Sequence, residues 1–290
     1  MTTSASSAEK MVAEVRERYG RIAEGKVEGC CGPFATPCGG GSVEAVSESL
    51  GYSKTDIESL AGANLGLGCG APIDYLKLQP GEHVLDLGSG AGIDAFLAAK
   101  RIGTAGGVIG VDMTPEMLQK ARANAAKLGF SQVEFREGRL EKLPVVDASI
   151  DAVTSNCVIN LVPDKAAVFR EVARVLKPGG RLVISDIVLD GGLPPAIEQD
   201  VYAYVGCISG AMPRPSYFEA LEAAGLRDVE ILKDIDYLGA MLDAAPDGVR
   251  ELLARTGVSP DEVRGKVRSI TFRATRREAA KSGCGPTCCA

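Results

Sequence analysis

One histidine and no tryptophan occur in 290 residues, and no run approaches the ~18 uninterrupted apolar residues that a membrane span needs. The lone imidazole, His83, leaves little room for histidine-based acid–base chemistry. Without further histidines or CxxC spacing, a zinc site is not expected either. Basic residues are outnumbered, 32 Lys and Arg against 38 Asp and Glu, and the net charge of −6 with no long basic block argues against a nucleic-acid surface. The opening stretch "MTTSASSAEKMVAEVRERYG" has no apolar h-region, so a soluble, cytoplasmic protein is the expectation. The hydrophobic share of 46% is enough for a full core in a chain of this length.

Sulfur is the residue chemistry in surplus. Nine cysteines, an odd number, do not suit an extracellular disulfide scaffold and are expected to be mainly reduced thiols. Cys30, Cys31 and Cys38 lie near the start, Cys69, Cys157 and Cys207 in the body, and Cys284, Cys288 and Cys289 in the terminal "CGPTCC". That tail is expected to be disordered, serving either to capture a soft ion or merely as a solvated end.

Residues 8–25 read as an amphipathic helix with Met11, Val15, Tyr19 and Ile22 on one face. "EGCCGPFATPCGGGS" reads as loop, 43–60 as a helical segment, and "GANLGLGCGAP" as a glycine-rich loop carrying Cys69. From residue 82 strands and helices alternate. "HVLDLG", "VIGVD", "VEFREG", "IDAVTSN" and "RLVISDIV" read as strands. Thr114-Pro115-Glu116 opens a helix with the stripe Leu118, Ala121, Ala125 and Leu128. A helix over 164–176 stops at Lys177-Pro178-Gly179-Gly180. This rhythm predicts an α/β fold, a Rossmann-like doubly wound parallel sheet. Later, residues 195–209 suit a helix with Ile197, Val201, Val205 and Ile208 in line and Cys207 on a neighbouring face. "DVEILKD" and "SITFRATRR" suit strands around a helical insertion at 237–256. The expected division is an N-terminal helix and lid (1–74), a core (75–190), a smaller α+β region (191–278) and the tail (279–290).

"VLDLGSGAG", residues 84–92, is the most informative stretch. A strand ends at Asp86, Gly88, Gly90 and Gly92 turn the chain into a helix, and the next strand ends at Asp112, placed to accept ribose hydroxyls. A carboxylate at Asp86 would repel a dinucleotide's pyrophosphate and attract an ammonium group. S-adenosyl-L-methionine carries that group with a ribose and no phosphate. The stretch resembles the first motif of class I S-adenosylmethionine-dependent methyltransferases, and "VDMTPEML" resembles their second, over about residues 75–190. The resemblance implies ribose at Asp112, the adenine flanked by Gly138, Arg139 and Leu140, the methionine portion beside Asn156, and Gly88, Ser89, Gly90 and Met113 lining the site.

Cys157, alone, would read as a small core residue. Yet it sits in "SNCVINLVPDK" at the ligand edge of the sheet, and Cys69 and Cys207 lie in segments expected near that edge. Thiolates select soft acceptors such as trivalent arsenic, whose lone pair can take a methyl group without a general base. "SNCVINLVPDK", "ANLGLGCG" and "YVGCISGA" together resemble the arsenite methyltransferase family, from about residue 14 to 275. The resemblance implies As(III) held by Cys69, Cys157 and Cys207. It also implies a redox cysteine in the first loop, read here as the Cys30-Cys31 pair, reset by glutathione or thioredoxin. Two other readings stay open: methylation of a small organic acceptor with Asp186 as base, and a non-catalytic metalloid-binding protein.

Overall fold

The computed structural model describes residues 7–26, 43–200, 203, 207–243 and 247–278. Its helices are α1 (Ser7–Ala23), α2 (Val43–Leu50), α3 (Lys54–Ser59), α4 (Ile93–Ile102), α5 (Pro115–Leu128), α6 (Lys165–Val175), α7 (Pro195–Glu198), α8 (Arg214–Ala223), α9 (Tyr237–Asp243) and α10 (Asp247–Thr256). Its strands are β1 (His83–Leu87), β2 (Gly107–Asp112), β3 (Val133–Glu137), β4 (Ile150–Asn156), β5 (Leu176–Leu189), β6 (Met212–Pro213), β7 (Leu226–Asp236) and β8 (Val267–Arg276).

The strands form one sheet in the order β3-β2-β1-β4-β5-β8-β7, with β6 pairing to β5. β3, β2, β1, β4 and β5 run parallel, and β8 runs antiparallel between β5 and β7. The doubly wound parallel sheet expected from the alternating pattern is therefore present, and the late strands extend that same sheet.

Period-two alternation assigns each strand residue to a face. Leu85, Leu87, Leu182 and Ile184 pack with Val168, Phe169 and Val172 of α6 and Tyr217 and Leu221 of α8. Their neighbours Val84 and Val183 pack on the opposite face with Ala95, Ala98 and Ala99 of α4, whose small side chains let that helix lie close to the sheet. A third apolar cluster lies beyond the carboxyl ends of the strands and includes Val15, Leu161, Ile187, Leu238 and the thiols Cys69 and Cys207.

Several local expectations needed correction. The helical segment at 43–60 is two helices, because Gly51 adopts φ +115 and Ser53 caps α3, accepting from Asp56 N at 3.1 Å. Thr114 precedes α5 as expected but makes no side-chain cap; Asp112 Oδ1 accepts its N–H at 2.8 Å instead. The α5 stripe gives out at Leu128, which is exposed. Lys177-Pro178-Gly179-Gly180 follows the end of α6 but already belongs to β5. Near the expected 195–209 helix, α7 ends at Glu198, and Cys207 lies in a turn with φ +64 rather than on a helix face. Val201, Tyr204 and Val205 lie outside the described residues, as do Cys30, Cys31, Cys38 and the "CGPTCC" tail.

At the amino ends of the strands, Arg181 grips Glu82 with two bonds, at 2.8 and 2.7 Å, and also donates to Leu76 O at 2.7 Å. Arg181 holds the Glu82 carboxyl below its usual range, so the contact stabilises the fold above the ordinary carboxylate value and is lost as pH falls through the lowered one. Glu82→Gln should cost about 1 kcal/mol near neutral pH. The gap to wild type should close in acid, as read by denaturant melts at several pH values.

Candidate functional site

The parallel strands end at one edge, and there the glycine-rich turn borders a cleft open to solvent, about 1280 Å³ with the open space at its mouth included. Gly88 has φ +66, and a Cβ placed on it would come within 2.4 Å of Val158, so only glycine fits where the chain leaves β1. Asp86, Gly88, Ser89, Gly90, Asp112 and Met113 line the cleft. Arg139, Leu140 and Asn156 contribute as well. Gly92 does not line it; it caps α4 and sits against Phe96 and Phe135.

Three carboxylates face this cleft at the start of α4. Asp112 accepts from Gly90 N at 2.9 Å and from Thr114 N at 2.8 Å. Asp86 is buried, with one oxygen taken by Ala95 N–H and Oδ2 without a hydrogen-bond partner. Burial raises its pKa well above the usual carboxylate range, with Asp94 and then Asp112 adding to the effect. Asp94, in the first turn of α4, is pushed up to about 6 by burial. Ser89 Oγ is also buried and unpartnered.

An unsatisfied buried carboxylate oxygen beside two more acids suits a cationic, hydrogen-bonding ligand and repels a pyrophosphate. The donor set therefore fits S-adenosylmethionine, which carries positive charge and a ribose and no phosphate.

Sequence reasoning missed part of this wall. Val12, Val15 and Tyr19 of α1 cover the cleft, and Tyr52, Asp94 and Tyr237 line it. Tyr52 occupies the turn between α2 and α3, where "GYS" between two helical runs was the available signal. Its hydroxyl donates to Asp94 Oδ1 at 2.9 Å.

The thiols meet at one end of this cleft. Cys157 continues the ladder of β4 for one bond, its N–H donating to Ser185 O at 2.8 Å, and then turns left-handed at φ +57. Cys207 Sγ donates to Cys157 O at 2.9 Å. The Cys157 thiol is hydrogen-bonded with both Cys207 and Cys69, which raise its pKa well above normal, and burial adds to them. Burial raises that of Cys69. Cys157 and Cys207 line the cleft, whereas Cys69 is buried beside them. Cys157 thus links the other two thiols. Among the described residues no group of three or more His, Cys, Asp or Glu side chains is arranged as a metal site.

Two residues singled out in the sequence lie elsewhere. His83 is at the opposite edge, 3.8 Å from Asp151, as a structural residue would be. Asp186 is fully buried within β5, not at its end, and accepts from Asn160 at 2.9 Å and Tyr217 at 3.0 Å. It does not line the cleft, so the organic-acceptor reading loses its base.

A family model described as a methyltransferase domain matches residues 78–245, more than half of the chain. The chain belongs to that methyltransferase family. An arsenite methyltransferase from Halobacterium salinarum is 48% identical over 75% of this chain and 57% of its own length. One from Aquipseudomonas alcaligenes is 42% identical over 58% of this chain and 50% of its own. Among solved structures, an arsenic(III) S-adenosylmethionine methyltransferase from Chlamydomonas reinhardtii superposes with a TM-score of 0.60 at 30% identity, over 81% of this chain and 74% of that one. The resemblance to arsenite methyltransferases noted in the motifs is borne out. The chain spans about half the length of the curated relatives it matches. No described helix of this methyltransferase domain is long and apolar enough to cross a membrane.

Two outcomes follow from the charges and the backbone. A cation binds the ionised carboxylates and expels their protons, so affinity for S-adenosylmethionine should rise with pH through about 6, the value at Asp94. Below that value it should fall by up to about tenfold per pH unit for each proton displaced, a slope that calorimetry at several pH values would measure. Left-handed backbone at half-buried Cys157 costs about 1 kcal/mol for any residue with a Cβ. Cys157→Gly should therefore unfold at or above the temperature of Cys157→Ala, the reverse of the usual order.

Proposed function

We propose that the protein transfers the methyl group of S-adenosylmethionine to trivalent arsenic held by the thiols of Cys69, Cys157 and Cys207. The observation carrying this reading is the meeting of three thiols, distant in sequence, beside a cleft lined by Asp86, Asp94 and Asp112. Similarity to proteins named arsenite methyltransferase supports it. The thiols come one each from the N-terminal region (1–74), the donor-binding core (75–190) and the C-terminal region (191–278). All three regions are then needed to build the acceptor site.

A thiol need not be ionised beforehand to bind this substrate. As arsenous acid exchanges its three hydroxyls for three sulfurs, each thiol proton leaves with a hydroxide as water. The raised pKa values of Cys69 and Cys157 therefore do not oppose binding. The sulfurs leave arsenic its lone pair, which needs no base to act as nucleophile. Bound S-adenosylmethionine supplies an electrophilic methyl carbon and a neutral leaving group. Fixing the arsenic at the edge of the donor cleft supplies proximity and orientation.

The transfer formally oxidises arsenic, so two electrons must return from a thiol reductant of the glutathione or thioredoxin class. Cys30 and Cys31 are the proposed relay, since vicinal thiols can form and exchange disulfides.

Single-turnover methylation of thiol-complexed arsenite tests the reading. Cys157→Ser should bind S-adenosylmethionine as wild type does and form methylarsenic at least about a hundredfold more slowly, the scale of lost positioning. Equal rates in the two proteins would overturn the assignment of this thiol.

A further inference from the structure

Asn156 ends β4 and lines the donor cleft, yet its side chain is spent on the loop that carries Cys69. Its Oδ1 accepts from Cys69 N at 3.0 Å, and its Nδ2 donates to Gly70 O at 2.7 Å. The loop is thus gripped on both sides of the Cys69–Gly70 peptide. The fit is close: a Cβ on Gly68, at φ +119, would lie 2.8 Å from the Asn156 amide. A second anchor is independent of the cleft, with Ser269 Oγ of β8 donating to Cys69 O at 2.8 Å.

The amide nitrogen has more acceptors than protons. Besides Gly70 O, Nδ2 faces Tyr52 OH at 2.8 Å and Asp94 Oδ2 at 3.3 Å, and Tyr52 in turn donates to Asp94 Oδ1 at 2.9 Å. Two protons are shared among three acceptors, and Tyr52 and Asp94 both line the donor cleft. A cationic ligand that engages Asp94 removes one competitor, leaving the amide protons to Gly70 O and Tyr52.

We infer that Asn156 is a positioning residue that couples the two halves of the site: a filled donor cleft, sensed through Asp94 and Tyr52, tightens its grip on the Cys69 loop. This rests on the proposed function only in taking Cys69 for an acceptor thiol. The physical coupling stands on the hydrogen bonds alone, and it orders the reaction so that the acceptor thiol is fixed once the donor is in place.

The test reads Cys69 itself. Alkylation of Cys69 by a haloacetamide, followed by peptide mass spectrometry on the full chain, is timed with and without saturating S-adenosylhomocysteine. Wild type should be protected about tenfold, a usual size for coupling between sites. Tyr52→Phe, which keeps the ring and removes the sensing hydroxyl, should reduce that ratio to below about twofold. Ser269→Ala frees the other end of the loop and also removes a contact to the thiol itself, so it should change both rates by the same factor and keep the wild-type ratio. A role that is merely structural would instead make the two variants behave identically. Full protection retained in Tyr52→Phe with the cleft saturated, or no protection in wild type, overturns the inference. Arsenite alone forms a separate arm: if it fails to slow alkylation of Cys69, the arsenic reading falls while the donor-dependent ratio still decides the coupling.

Discussion

An asparagine side chain offers one carbonyl and one amide NH2 with two protons, and at Asn156 both are turned back onto the chain that crosses the sheet edge. A parallel strand has no further backbone partner beyond its carboxyl end. Whatever passes over that end must be held by side chains, or its buried peptide groups go unpaired at about 1–3 kcal/mol each. Asn156 and Ser269 meet this requirement for the Cys69 loop from two different strands. The loop then lies close enough for its thiol to bond with Cys157. The position of the thiols relative to the cleft depends on this contact.

The two ends of the site have opposite electrical character. At the glycine-rich turn, three carboxylates surround the start of α4, where a helix more often receives an anion. Burial raises the proton affinity of all three, and at Asp86 repulsion from Asp94 and Asp112 adds to it, which leaves the cleft ready to exchange protons for a positive ligand. At the other end burial disfavours thiolate at Cys69, and hydrogen bonds with Cys207 and Cys69, with burial added, disfavour it at Cys157. A cation is thus drawn to one end, while the other presents soft sulfur ligands.

Two of the thiols sit on strained backbone. Cys157 and Cys207 are both left-handed, a conformation that a residue with a Cβ adopts only when the surroundings impose it. At Cys157 the turn breaks the ladder right after its bond to Ser185 and directs the thiol to its neighbours. Cys207 turns its Sγ onto the Cys157 carbonyl. Glycine would relax either turn but would carry no sulfur.

The sequence by itself determined the alternation of strands and helices, the glycine turn after Asp86, and the acid at Asp112. These rest on periodicity and on backbone demands confined to a few neighbouring residues. Cys157 was legible as a thiol at the ligand edge because it follows an apolar strand directly. The break at Gly51 and Ser53, and with it Tyr52, was harder to see, since a short helical run with one glycine reads much like a continuous helix. Tertiary structure alone decided that Asp94 faces the cleft, that Asp186 is sealed inside β5, and that Asn156 bridges to a loop 87 residues earlier. Such contacts depend on which elements pack side by side across long stretches of chain, and no spacing within a single segment encodes them.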